Sequence, residues 1–184
     1  MSQFRGFIAV DIDAFPKLLE FEREIRGTGA NIKLVEPENV HITLKFLGDT
    51  NEDLIEEIDG IINDAVQNIE PFNIKLEGAG VFPNQNYIKV IWLGIKRGEQ
   101  LESIAQKIDE QLHKIGFKKE KRKFSAHLTI ARVRSAKNKE KLLHIIEKYK
   151  DSEFAEINVD SIKLKKSELT PEGPIYTNLK DMRL

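Results

Sequence analysis

One four-residue pattern occurs twice in this chain and constrains it more than any other feature: His41-Ile42-Thr43-Leu44, and again His127-Leu128-Thr129-Ile130 in the second half. Two of the four histidines sit in these cassettes. A histidine and a threonine two positions apart, with apolar residues between and after them, is the alternation of a strand with one face in a core. His41 then shares a face with Thr43, and His127 with Thr129, while the apolar partners point inward. Any fold for this chain must present two such strands, each offering an imidazole beside a hydroxyl.

The elements around the cassettes also repeat. Residues 4–10 read as a strand buried on both faces, followed by a helix over 16–25, a short extended segment at 32–35 and the first cassette strand over 41–46. Asp49-Thr50-Asn51 offers capping side chains for a helix reaching 67, with Leu54, Ile55, Ile58, Ile61, Ile62 and Val66 on one stripe. Runs 72–82 and 87–95 are joined across Pro83-Asn84-Gln85-Asn86, a hairpin signature. A helix over 98–115 leads through the basic run Lys118-Lys119-Glu120-Lys121-Arg122-Lys123 into the second cassette. A helix over 137–149, one strand over 154–164 and a last strand over 174–179 complete the chain. The pattern predicts an α+β fold of two pseudo-symmetric lobes, each an antiparallel sheet with helices on its outer face. No Gly/Ser-rich or Pro-rich linker separates them, so residues 1–184 read as a single bilobal domain.

Composition excludes several classes of function. With 184 residues and 40% hydrophobic content the chain is long enough to bury a core. Zero cysteines exclude disulfides, thiolate metal sites and a cysteine nucleophile. The amino terminus lacks a signal-like apolar region and no apolar run approaches the roughly 18 residues of a membrane span, so a cytoplasmic protein with no membrane partner is expected. A net charge of -1 hides a charged fraction of 32%, so attraction to a polyanion must come from local patches.

Two imidazoles on opposite sides of a substrate are what in-line displacement at phosphorus needs: one removes a proton from the incoming oxygen and the other supplies one to the departing oxygen. Each threonine hydroxyl can donate to a nonbridging phosphate oxygen, where negative charge must be held. This chemistry requires no metal and no cofactor.

The chain resembles the two-histidine phosphoesterases, and within them the RNA 2′,3′-cyclic phosphodiesterases also called 2′-5′ RNA ligases. The resemblance is carried by His41-Ile42-Thr43-Leu44-Lys45-Phe46-Leu47-Gly48 and His127-Leu128-Thr129-Ile130-Ala131-Arg132-Val133. It is supported by Arg5-Gly6-Phe7-Ile8-Ala9-Val10, Val81-Phe82-Pro83 and Val90-Ile91-Trp92-Leu93-Gly94. It implies a bilobal α+β fold with a V-shaped cleft, hydrolysis of RNA 2′,3′-cyclic phosphate ends to 2′-phosphates, and ATP-independent 2′-5′ joining of tRNA halves. It also implies His41 as proton donor to the 3′ oxygen and His127 as proton acceptor from water, labels that can be exchanged, with Thr43 and Thr129 binding the phosphate. A monomer acting on RNA is the expected state.

Further residues are candidates for RNA binding. Lys45 shares the strand face of His41 and Thr43 and is expected to add positive charge to the cleft. Phe46 and Arg132, each five residues after its histidine, resemble family positions that contact the nucleotide by stacking and phosphate pairing. Strict alternation puts both on the opposite face, so a bulge or the strand's end must reorient them, and core packing is the plain alternative for Phe46. Lys121, Arg122 and Lys123 in the basic run are candidates to guide an RNA backbone. His113 and His144 fall in helical patterns without a threonine partner and read as ordinary structural or surface histidines. Rival readings are a metal-dependent hydrolase, which lacks the usual ligand spacing here; a non-catalytic RNA-binding module; and the same chemistry on 2′-5′ oligoadenylates or small cyclic nucleotides.

Overall fold

A computed structural model describes residues 1–184. The chain runs β1 (Gln3–Asp11), α1 (Pro16–Gly27), β2 (Ile32–Leu34), β3 (His41–Asn51), α2 (Ile55–Val66), β4 (Phe72–Pro83), β5 (Ile88–Lys96) and α3 (Glu99–Lys114). It continues through β6 (His127–Val133), α4 (Lys139–Lys148), β7 (Glu153–Val159), β8 (Ser161–Thr170) and β9 (Gly173–Arg183). The strands form two antiparallel sheets, one in the order β3-β1-β8-β9 and one in the order β2-β6-β5-β4-β7. The α+β fold with two antiparallel sheets agrees with the sequence pattern.

The two sheets are not the two halves of the sequence. The hairpin β4-β5 follows the first cassette but pairs with the second one, while β1 and β3 are completed by the last two strands of the chain. The run 154–164, expected as one strand, is two. β7 ends at Val159 against β4, and after Asp160 the chain re-enters as β8 against β1, in the other sheet. An uninterrupted alternation hides such a crossing, because both pieces are strands with one apolar face.

Helices α2 and α3 pack on the first sheet through β9 and β3, and α1 and α4 on the second through β7 and β4. On α1 the buried residues are Leu18, Phe21 and Ile25; on α3 they are Leu101, Ile104, Ala105, Ile108 and Leu112, the spacing of a helix with one apolar stripe. These stripes meet the inward residues of both sheets in one buried cluster that includes Ile8, Ile42, Leu128 and Ile130. Asp49-Thr50-Asn51 does not cap α2: these residues extend β3, and the chain passes through a 3-10 turn at Glu52–Leu54 before the helix begins. No helix is long and apolar enough to cross a membrane.

Gly80 shows how tightly the second sheet is packed. It lies opposite Trp92 on β5, and a Cβ there would overlap the indole ring. Because Trp92 is the only tryptophan in the chain, its fluorescence reports this contact directly. Gly80→Ala should lower stability by about 1–3 kcal/mol through overpacking and shift the Trp92 emission. Unfolding in urea followed by fluorescence checks this, and a shift below about 0.5 kcal/mol, within the range of ordinary surface substitutions, contradicts it.

Candidate active site

Each cassette strand carries a bulge three residues after its histidine. Ala9 pairs with Thr43 and Ile8 with Lys45, leaving Leu44 as an extra residue on β3. Trp92 pairs with Thr129 and Ile91 with Ala131, leaving Ile130 extra on β6. Before the bulge the alternation runs as expected: His41, Thr43, His127 and Thr129 are half-buried on one face, while Ile42 and Leu128 are fully buried on the other. After it the parity is reversed.

The reversal decides three candidates. Lys45 does not share the face of His41. It turns with Ile8 into the interior and is only 4% exposed. Its ammonium donates to Asp109 Oδ1 on α3 at 2.6 Å, to the Lys118 carbonyl at 2.8 Å and to Glu120 Oε1 at 3.2 Å. The expectation that Lys45 lines the cleft is therefore corrected: strict alternation failed because the strand contains one residue too many. Phe46, conversely, is brought onto the His41 face opposite Phe7 and is 69% exposed, not packed in the core. Arg132 is likewise brought onto the face of His127 and Thr129 and is exposed. A second irregularity leaves Leu47 extra, and Gly48 closes it with a positive φ of 69°, a conformation that costs glycine little.

The two imidazoles are held in the same way. His41 Nδ1 lies 2.6 Å from the Asn39 carbonyl and His127 Nδ1 lies 3.0 Å from the Ser125 carbonyl, in each case two residues back. A carbonyl only accepts, so Nδ1 carries the proton in both rings, which leaves Nε2 as the nitrogen free to exchange protons when the ring is neutral. His41 Nε2 also meets Thr43 Oγ1 at 2.9 Å. Aromatic rings support both sites: His41 packs on Phe7 at 5.0 Å and edge-on to Tyr176 at 5.4 Å, and His127 packs edge-on to Phe82 at 5.2 Å, itself against Trp92.

Several contacts draw the cassettes together. Strands β3 and β6 touch each other. The Val35 amide donates to the Ile130 carbonyl at 2.9 Å, and the β8-β9 turn is tied down by Lys33 Nζ to the Glu172 carbonyl at 3.2 Å and Asn39 Nδ2 to the Pro174 carbonyl at 3.0 Å. Tyr176, beside His41, feels the charge of Arg132 from the other sheet. Burial raises the Tyr176 hydroxyl above its ordinary range and the Arg132 guanidinium opposes that.

The electrostatics around His41 come from residues the sequence reading passed over. Asp11, its partner across β1, is held by Lys165 at 2.5 Å and Lys163 at 2.9 Å. Burial pushes the Asp11 carboxyl up, and the two lysines together outweigh it and hold the group below its ordinary value. Burial also lowers the His41 imidazole below 6.5; the Asn39 carbonyl opposes this, Lys165 adds to it and Asp11 opposes it. A usable signal existed for the lysines, since Ile162-Lys163-Leu164-Lys165 alternates like a strand with a charged face. Tyr176 had none, because it reaches His41 only through the pairing of the last strand.

Lys121, Arg122 and Lys123 are exposed. Lys121 and Arg122, with Phe117–Glu120, line one side of an open groove of ≈ 530 Å³ whose other side is Lys45, Phe46, Leu47 and Gly48. His113 and His144 are exposed on their helices. No group of three or more His, Asp or Glu side chains is arranged to hold a metal ion.

Comparison with known proteins agrees with this arrangement. A sequence model of the 2′-5′ RNA ligase superfamily matches residues 15–170. A protein of Methanocaldococcus jannaschii named RNA 2′,3′-cyclic phosphodiesterase is 47% identical, with 96% of this chain and 99% of its own length covered. One of the same name from Methanothermobacter thermautotrophicus is 40% identical, covering 98% of each. Among solved structures, a protein of Thermus thermophilus matches with a TM-score of 0.80 at 25% identity, over 98% of this chain and 97% of its own. Escherichia coli LigT complexed with 3′-AMP matches in fold, with a TM-score of 0.72 at 21% identity over 100% and 99%. With the family match spanning most of the chain, and both His-x-Thr strands present, this chain belongs to the 2′-5′ RNA ligase superfamily of two-histidine phosphoesterases.

Proposed function

We propose that this protein hydrolyses RNA ends bearing a 2′,3′-cyclic phosphate to 2′-phosphates, with His41 as general acid and His127 as general base and without a metal ion. The observation that carries the reading is the matched pair of Nδ1-to-carbonyl hydrogen bonds, which leaves both rings with Nε2 as the working nitrogen. In this scheme His127 Nε2 takes a proton from water as its oxygen bonds to phosphorus. The bond from phosphorus to the 3′ oxygen breaks, and His41 Nε2 delivers its proton to that oxygen. Thr43 and Thr129 hold the nonbridging oxygens, where charge accumulates. With the 5′-hydroxyl of a second RNA in place of water, the same transfer would join two ends, tRNA halves among them, through a 2′-5′ linkage without ATP.

Burial favours neutral His41 in the free protein. In our reading its proton arrives with the substrate, since a phosphate anion beside the ring favours the imidazolium. Phe46 offers a face for stacking the terminal base, Arg132 a guanidinium for a phosphate, and the exposed cations Lys121, Arg122 and Lys123 a path for the RNA backbone. These features favour RNA over a small cyclic nucleotide. The reading has the protein working as a cytoplasmic monomer.

The deciding experiment incubates the protein with an oligonucleotide ending in a 2′,3′-cyclic phosphate and resolves the products: 2′-phosphate is expected, in the presence of EDTA as well as in its absence. A 3′-phosphate product, or activity lost to EDTA and restored by metal, overturns the scheme. His41→Ala and His127→Ala should each lower the rate by roughly a hundredfold or more. The sign of the His41 shift gives a separate check. In the free protein this ring should stay neutral down to a pH below 6.5, and saturating inorganic phosphate should move its midpoint upward. An NMR pH titration measures both, and a midpoint that phosphate leaves in place removes His41 from phosphate binding.

A further inference from the structure

We infer that Lys45 is a positioning residue for RNA recognition: buried under the strand that carries Phe46, it locks the basic loop at 118–123 into place and sets the protein's preference for an RNA body over an isolated terminal nucleotide. The inference rests on the proposed function and deepens it.

Lys45 and Phe46 are successive residues on β3 and point to opposite faces, and the bulge at Leu44 sets Lys45 inward and Phe46 toward the site. The ammonium of Lys45 joins three elements at once: its own strand, α3 through Asp109, and the loop through the Lys118 carbonyl and the Glu120 carboxylate. Asp109 binds the loop a second time, its two oxygens accepting from the Glu120 amide at 3.2 Å and 3.3 Å. The loop is thereby fixed to the back of the strand that presents Phe46 to the site. Phe46 to Gly48 form one wall of the groove, and Lys118 to Arg122 form the other.

Charge supports the same assignment. Glu120 is the one acid in the run Lys118-Lys119-Glu120-Lys121-Arg122-Lys123. One of its carboxylate oxygens lies 3.2 Å from the buried Lys45 ammonium, which it shares with Asp109, so the single acid of the run is drawn to the strand while the flanking cations stay free for a polyanion. Without Lys45 the loop would lose its tether to β3, and Asp109 would be left in the interior without its cation. Such a change acts on RNA that extends past the site and not on the chemistry at the terminal phosphate.

The test compares two substrates, a dinucleotide and a long oligonucleotide, each ending in a 2′,3′-cyclic phosphate. For Lys45→Met, KM for the long RNA should rise roughly tenfold, and the dependence of log kcat/KM on log salt should become shallower by about two phosphate contacts. Turnover of the dinucleotide should stay within about twofold, because Lys45 does not touch the reacting groups. Replacing Lys121, Arg122 and Lys123 together by Ala should reproduce the long-RNA loss, and Lys45→Met added to that variant should cause no further loss, as expected of groups acting as a unit. If Lys45→Met does not fold by circular dichroism, Glu120→Gln takes its place. Because the loop's ties through the Lys118 carbonyl and the Glu120 amide do not use that carboxylate, this variant must keep long-RNA KM at or below the wild-type value, and a selective loss like that expected of Lys45→Met contradicts the inference. For Lys45→Met, equal loss on both substrates, no loss on either, or full additivity with the loop variant overturns the inference. A wild-type protein inactive on both substrates overturns the proposed function instead.

Discussion

The arrangement of the site depends on one extra residue in each cassette strand. A regular strand can place a histidine and a threonine on one face, and every second residue beyond them, but not the residue five positions on. Leu44 and Ile130 break the count at equivalent places, so His41, Thr43 and Phe46 come to one surface, as do His127, Thr129 and Arg132. The inserted residues are themselves apolar and buried, which is what makes the irregularity stable: each adds a side chain to the core as it turns the next residues over. The shared offset of the two bulges is also the strongest sign that the sheets are related to one another.

Around this frame the charged groups are handled in a consistent way. Lysines that lie under a sheet or beside the imidazoles are tied to carboxylates, Lys45 to Asp109 and Lys163 and Lys165 to Asp11. Removing such charges from water is costly, and each pair recovers part of that cost through a short charge-assisted contact. Arg132 and the loop after α3, by contrast, carry exposed cations beside the site, of which Lys123 alone meets an acid, Glu102 at 3.9 Å.

Much of this was legible in the residues. Periodicity located all four helices, and the duplicated His-x-Thr pattern marked the two strands that carry the imidazoles, since both signals are local. What failed depended on partners distant in sequence. Alternation placed Lys45 beside His41 because a bulge is visible only against the neighbouring strand. The run 154–164 read as one strand because the passage from one sheet to the other at Asp160 leaves the apolar pattern intact. Tyr176 and the Asp11-Lys163-Lys165 cluster escaped notice since their elements meet His41 only in three dimensions. The apolar neighbours of Gly80 and of Trp92 told little of how closely the two would approach.

The interleaving of the sheets bears on biosynthesis. While a ribosome is still making the polypeptide, β1 and β3 can form only a two-stranded ribbon, which is marginal by itself in water, and the partner they await is β8, more than a hundred positions downstream. The second sheet faces no such delay for β4, β5 and β6, whose pairings are local. Maturation should then be ordered, with the His127 side assembling early and the His41 side acquiring its shape only after β8 has been made.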